Sequence, residues 1–347
     1  MRPPDRRPRL TPAMADVRRA VREALGALHA QAPDARQPLP AEAAAAPLVL
    51  VALSGGPDSL ALAAATAFEA PRAGLRAGAV IVDHALQPGS AEVSAAAAAH
   101  ARALGLDPVI VTRVHVDPAG PDGPEAAARA ARYVALGAAR EATGATQILL
   151  GHTLDDQAET VLLGLARGSG PSSLSGMSAV NGAYGRPLLG IRRQLVHQSI
   201  VDLGLEPWHD PQNLDPAYTR VRVRQTVLPM LETELGPGIA EALARTADQL
   251  REDDEALDAL AAEWAAEIVE HAEAGIAVDV HGLASNPPAL AQRVVRFVVA
   301  SEFGVSLSRA QTLSALRLVT QWHGQSGVDL PGIRVTRVAG SLVFTRH

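Results

Sequence analysis

Pro47-Leu48-Val49-Leu50-Val51-Ala52-Leu53-Ser54-Gly55-Gly56-Pro57-Asp58-Ser59-Leu60-Ala61-Leu62-Ala63-Ala64-Ala65 reads as a buried strand, a glycine turn and the start of a helix, in unbroken succession. The glycines let the backbone pass close to a phosphate, the free N–H groups of a helix start point outward, and the helix dipole favours negative charge there. Ser54 and Ser59 add small hydroxyls, and Asp58 is within reach of a phosphate-bound metal. An ordinary tight βα turn is the alternative, and the strand–turn–helix context favours the anion site. A Walker loop needs a lysine after its glycines. The chain contains no lysine, so that reading is closed.

Outward from this loop the pattern alternates. Strand-like runs at 47–53, 78–82, 108–114 and 146–150 are separated by helix-like runs at 59–68, 90–104, 124–142 and 155–166. Such alternation predicts an α/β domain, a parallel Rossmann-like sheet with helices on both faces. Ligands in these sheets sit at the carboxyl ends of the strands. Three places then stand out: the loop 54–59, Asp83-His84, and Gly151-His152.

Gly151-His152-Thr153-Leu154-Asp155-Asp156-Gln157-Ala158-Glu159-Thr160 closes one strand and opens a helix. Asp156 and Glu159 share a helix face, as do Asp155 and Glu159. One acid in a first turn is explained by the helix dipole. Three acids and a histidine at a strand's carboxyl end fit a magnesium–nucleotide site better, because Mg²⁺ takes hard oxygen ligands. Arg129 and Arg132, three residues apart, offer a guanidinium to a phosphate. A surface helix is the default for that segment taken alone.

The rest of the chain is organised around this core. Residues 1–13 read as a disordered tail, 15–29 as a short amphipathic helix and 31–47 as an Ala/Pro-rich linker. The expected divisions are 1–46, a catalytic domain at 47–235, a helical linker at 236–275 and a small α+β domain at 276–347. The linker belongs to a long helix over 239–273, striped by Leu243, Leu250, Leu257, Leu260, Trp264 and Ile268. Short strands at 276–280, 333–338 and 341–345 surround helices near 289–303 and 308–322.

Net charge is −6, but it is unevenly spread. Residues 245–273 hold ten acids against two arginines, whereas 293–347 hold seven arginines against Glu302 and Asp329. A basic terminal module permits an RNA partner. Cysteine is absent, which removes disulfides, thiolate metal sites and thiol nucleophiles. No apolar run approaches the roughly 20 residues of a membrane span, and residues 1–7 lack a signal-peptide core, so a cytoplasmic protein is expected.

These blocks together resemble the tRNA(Ile)-lysidine synthetases of the ATP-pyrophosphatase loop superfamily, over roughly residues 46–345. The loop Ser54–Ser59 marks the superfamily. The family is marked by Val82-Asp83-His84-Ala85-Leu86, Ala128-Arg129-Ala130-Ala131-Arg132-Tyr133, the block 151–160, Arg186-Pro187-Leu188-Leu189, Trp208-His209-Asp210-Pro211-Gln212-Asn213, Tyr218-Thr219-Arg220-Val221-Arg222-Val223-Arg224 and Leu330-Pro331-Gly332. The chain departs from the family's usual residues at Ala85, Gln87 and Val221, and its 171–177 stretch is looser.

The resemblance implies a two-step ligation. ATP adenylates the C2 carbonyl oxygen of the wobble cytidine in a CAU anticodon, and the ε-amine of free lysine then expels AMP. By the family motif, Ser54, Gly55, Gly56, Pro57, Asp58 and Ser59 bind ATP. Asp58, Asp156 and Glu159 hold Mg²⁺ or position the lysine ammonium, the metal falling to Asp58 and Asp156. Arg129 and His152 contact phosphate or the adenylated base. Arg132, Arg220 and Arg224 bind tRNA or order the site, and a salt-bridged helix surface is the other reading of Arg220 and Arg224. A homodimer is an option. Sulfur transfer to tRNA is disfavoured by the missing cysteines, and small-molecule amidation has no need of the 208–229 blocks. A non-catalytic RNA-binding protein would not need three site acids.

Overall fold

The computed structural model describes residues 10–30, 46–85, 89–115, 124–168, 170–272 and 275–347. Most of the expected tail and linker, and Gln87, lie outside the described residues. The chain divides into two compact units, 1–247 and 248–347.

The first unit opens with helix α1 (Pro12–Ala30), followed by β1 (Leu48–Ala52), α2 (Pro57–Glu69), β2 (Arg76–Asp83), α3 (Ser90–Ala103) and β3 (Val109–Arg113). It continues with α4 (Pro124–Thr143), β4 (Gln147–Leu149), α5 (Leu154–Ala166), α6 (Pro171–Leu174), β5 (Val180–Asn181), β6 (Tyr184–Gly185) and α7 (Arg193–Leu203). Helix α8 (Thr219–Arg222), a π-helical turn (Val223–Val227), α9 (Leu228–Glu234) and the start of α10 (Ile239–Ile268) complete it. The four expected strands and four intervening helices form with their ends within about two residues of the expected positions.

The sheet order is β3-β2-β1-β4-β6-β5, parallel except for the β5–β6 hairpin. Strand order reverses beside β1, so the crevice between the carboxyl ends of β1 and β4 is the switch point where such sheets bind ligands. β1 is apolar throughout because both faces are covered. Val49 and Val51 belong to the core under α1, α2, α3 and α7, while Leu48 and Leu50 belong to the core under α4. Val17, Val21 and Leu25 of α1 join the first of these cores, which packs that helix against the sheet domain.

The second unit takes the remainder of α10, then β7 (Val269–Ala272), β8 (Gly275–Asp279), α11 (Val280–Ser285), α12 (Pro288–Phe303), α13 (Arg309–Thr320), β9 (Val328–Leu330), β10 (Ile333–Val338) and β11 (Ser341–Arg346). Its antiparallel sheet runs β7-β8-β11-β10-β9. Alternate residues Ile333, Val335, Leu342 and Phe344 are buried with Val294, Val295 and Val298 of α12.

The long helix ends sooner than its periodicity predicts. Val269–Ala272 leave the helix to pair with β8, Val269 opposite Val278 and Ala272 opposite Gly275. The apolar stripe is also divided. Leu243 packs in the first unit, Trp264 and Ile268 pack in the second, and Leu260 is 50% exposed. A single stripe therefore serves two cores, and its middle has neither. Among the described residues no helix is long and apolar enough to cross a membrane.

Candidate active site

The loop after β1 is built as a cradle. Gly55 takes φ +85°, a left-handed conformation that favours glycine, and its carbonyl accepts from the Trp208 N–H at 2.9 Å. Ser59 Oγ donates to the Gly56 carbonyl at 3.0 Å and accepts from the Ser54 N–H at 3.2 Å, and the two serine hydroxyls are 3.1 Å apart. The cross-braced serines fix the turn. α2 then starts at Pro57 with Gly56 as its N-cap and no side-chain cap, so no side chain of the cap competes for its first-turn N–H groups.

The block after β4 faces this cradle. Gly151 is pressed against it: a Cβ there would lie 3.1 Å from the carbonyl carbon and oxygen of Asp58 and from the Ser59 nitrogen. Thr153 caps α5, accepting from the Asp156 N–H, while Asp156 Oδ2 accepts from the Thr153 N–H and Oγ1, both at 2.8 Å. Asp156 is thus both a capping residue and a site acid.

Asp58, Asp156 and Glu159 are brought together by a residue outside every sequence block, Arg193 at the start of α7. Its guanidinium donates to Asp156 Oδ1 at 2.7 Å and Glu159 Oε1 at 3.0 Å, and its Nε lies 3.9 Å from Asp58 Oδ2. Its backbone N–H donates to Asp155 Oδ2 at 2.7 Å. His197, one turn on, places Nε2 3.1 Å from Asp58 Oδ1. Arg192 pairs with Asp155, Glu232 and Glu241. A signal for these arginines existed in the sequence. Two cations at a helix N-terminus stand at the unfavourable end of the dipole, which implies anionic partners. His197 has no such signal.

Arg224 grips Glu159 with two nitrogens, at 2.7 and 3.0 Å, and reaches Asp156 Oδ1 at 3.2 Å. Arg220 donates to Thr160 Oγ1 at 3.1 Å and lies 4.0 Å from Glu159. Both arginines therefore stand at the acid cluster. Glu159 is 0% exposed and surrounded by three guanidiniums, whereas Asp58 is 28% exposed. Burial alone would raise the Asp156 carboxyl; Arg193, the two Thr153 hydrogen bonds and Arg224 outweigh it and hold it below the usual carboxylate range. Burial would lower Arg193, yet Asp156, Glu159, Asp58 and Asp155 raise it well above an ordinary guanidinium.

A second half of the site is cationic. Arg129 and Arg132 lie over the Tyr133 ring at 5.1 and 5.6 Å, with Tyr133 edge-on to Tyr184. His152 is half-buried, and its imidazole is pushed down to about 4, first by burial and then by Arg186, Arg132 and Arg129, against the pull of Asp156. His84 is lowered by burial and by Arg132. In both, burial disfavours the charged imidazole. Asp83 turns inward instead, accepting from the Ala85 N–H at 2.9 Å and anchoring its loop. The crevice thus pairs a phosphate cradle with a compensated acid cluster and a cationic wall with two imidazoles.

Magnesium fits this geometry at Asp58. Among the described residues no group of three or more His, Cys, Asp or Glu side chains is placed to hold a metal. Mg²⁺ on a nucleotide needs only one or two carboxylates beside phosphates and waters. Asp58 has an accessible carboxylate; both oxygens of Asp156 are engaged by Thr153, Arg193 and Arg224.

Known proteins align with both units. A PP-loop domain family matches residues 30–231, and a TilS substrate binding domain family matches 279–343. The tRNA(Ile)-lysidine synthase of Leifsonia xyli subsp. xyli is 65% identical over 301 residues, covering 86% of this chain and 90% of that protein. The corresponding protein of Thermobifida fusca is 53% identical over 326 residues, 93% of this chain and 94% of its own length. That of Streptomyces coelicolor is 51% identical over 312 residues, 87% and 86% respectively. Among solved structures, the U34-tRNA thiolase NcsA from Methanococcus maripaludis, with its [4Fe-4S] cluster, superposes with a TM-score of 0.54 at 19% identity, covering 69% of this chain and 80% of that one. The likeness is one of fold. This chain has no cysteine with which to hold such a cluster.

Proposed function

The chain belongs to the tRNA(Ile)-lysidine synthase family, and from that premise we propose that it uses ATP to ligate free lysine to C2 of the wobble cytidine in a CAU-anticodon tRNA. The observation that carries the reading is the convergence of the phosphate cradle with Asp58, Asp156 and Glu159, bridged by Arg193, at the β1–β4 crevice.

In the first step the N–H groups of 54–59 receive the β,γ-phosphates as pyrophosphate departs, and preorganised donors lower the barrier because they need not reorient. Asp58 would hold Mg²⁺ with the triphosphate, where the ion neutralises the leaving pyrophosphate. Asp156 would reach that ion by releasing Arg193 or Arg224. Arg129 and Arg132 lie on the cationic wall, suited to the α-phosphate and to the tRNA backbone. His152, uncharged, serves as a hydrogen-bonding partner for the adenylated base and not as a proton donor, because too little imidazolium exists near pH 7.

In the second step Asp156 and Glu159 receive the amino acid, and Arg220 and Arg224 order those acids on one edge while the RNA approaches. The second unit, 248–347, whose segment 293–347 is basic, supplies tRNA selection. We infer a cytoplasmic setting for the reaction, where a tRNA substrate is met. The test is incorporation of labelled lysine into tRNA at the CAU anticodon. A product carrying lysidine supports the reading, and a labelled product at any other position refutes it.

A further inference from the structure

Every carboxylate oxygen of Asp156 and Glu159 is occupied. Asp156 Oδ2 accepts twice from Thr153, and Oδ1 accepts from Arg193 and Arg224. Glu159 Oε1 accepts from Arg193 at 3.0 Å and Arg224 at 2.7 Å, and Oε2 from Arg224 at 3.0 Å. Seven hydrogen bonds converge on these four oxygens and leave Glu159 Oε2 with a single donor, so an ammonium that bridges both acids must exchange partners with an arginine at Asp156.

The exchange is unfavourable for a simple amine. It would leave a guanidinium that is 15% exposed without its counter-ions. Free lysine differs, because its α-carbon carries an ammonium and a carboxylate together. An acid–arginine pair can be replaced by acid–ammonium and arginine–carboxylate pairs, with no charge left alone. Arg193 is the better placed arginine for this exchange. Its Nε is buried without a hydrogen-bond partner, and its third acid, Asp58, is 3.9 Å away, whereas Arg224 grips Glu159 with two nitrogens.

Protonation chemistry agrees. The amine that attacks C2 must be neutral. An amine seated between two carboxylates is held protonated. The acid cluster therefore suits lysine's spectator ammonium and not its nucleophile.

Resting on the reading that Asp156 and Glu159 receive lysine, we propose that Arg193 is a specificity-determining residue: it takes lysine's α-carboxylate while the two acids take the α-ammonium, leaving the ε-amine free to attack. Amines lacking the carboxylate are thereby rejected at the binding step.

The experiment compares lysine with 1,5-diaminopentane, the same chain without the carboxylate, by tRNA-dependent AMP release in the wild type, R193Q and R193K. The wild type should prefer lysine by about 100-fold or more in kcat/KM, the scale at which a site's unpaired polar groups reject an analogue. R193Q should lose about 30-fold or more on lysine, mainly through KM, and about tenfold less than that on the diamine, the shared loss reporting the disturbed acid cluster. R193K, which keeps the charge but not the fork, should fall between them. Equal losses on both amines, or a preference unchanged in R193Q, would show a merely structural arginine and overturn the proposal. A wild type indifferent to the carboxylate overturns it even if R193Q fails to fold. D156N and E159Q separate the underlying reading: a lysine KM unchanged in both removes the acids from amino-acid binding altogether.

Discussion

Gly151 lies against Asp58 so closely that a methyl group at 151 would stand 3.1 Å from the Asp58 carbonyl carbon and oxygen. The end of β4 is therefore part of the wall behind the phosphate loop. Gly151→Ala should push that loop by a few tenths of an ångström, since backbone rather than a flexible side chain is what it meets. We expect KM for ATP to rise about tenfold, with a stability loss of about 1–2 kcal/mol from overpacking. ATP titrations and urea melts of the variant check both.

Asp58 and Glu159 should separate activity from stability. Asp58 is partly exposed, and among the described residues its carboxylate pairs with His197 and, at 3.9 Å, Arg193. Asp58→Asn should cut pyrophosphate release about 100-fold or more, as loss of a charge acting on the transition state does, while Tm shifts little. Retained activity would remove Asp58 from the mechanism.

Glu159→Gln should instead unfold the protein more easily. It leaves Arg193 and Arg224 with a neutral partner inside a buried cluster, a change of about 3–5 kcal/mol in measured pairs of this kind. Denaturant unfolding of the first unit reads this directly. A loss below about 1 kcal/mol would mean that water reaches the cluster.

The pH dependence follows from His152. Its folded-state value of about 4 is below its ordinary 6.5, so the unfolded chain binds the extra proton first. The stability that a neutral His152 allows is present above pH 6.5 and is lost as pH falls toward 4. His152→Gln should flatten unfolding free energy across that window, and urea titrations at pH 7, 6 and 5 test it. An unchanged slope would mean that the imidazole is solvated.

The sequence carried the sheet and the two site blocks because both are local. β1 is apolar on both faces, and the turns of 54–59 and 151–156 follow from glycine and capping chemistry within a few residues. Periodicity carries the helix over 239–273 past its true end because Val269–Ala272 have a tertiary partner, β8, that no local period reveals. β5 and β6 are two residues long, too short for any periodicity. Arg193 and His197 escaped because their partners are 34 to 139 residues away, and only the fold brings them together.

The second unit, 248–347, begins within α10. Ala261 and Ala265 of α10 belong to the second core, so a break at 275 would strip that core from its helix. A chain ending at Ala247 should keep ATP affinity within about threefold and lose about tenfold or more in tRNA KM, as phosphate contacts are removed. Unchanged tRNA KM would refute a recognition role for 248–347.

The most direct measurement is AMP and pyrophosphate release with ATP, lysine and the CAU-anticodon tRNA, each omitted in turn. The account predicts pyrophosphate release that requires the tRNA, and AMP release that requires both the tRNA and lysine. Release without tRNA, or none with all three present, would contradict it.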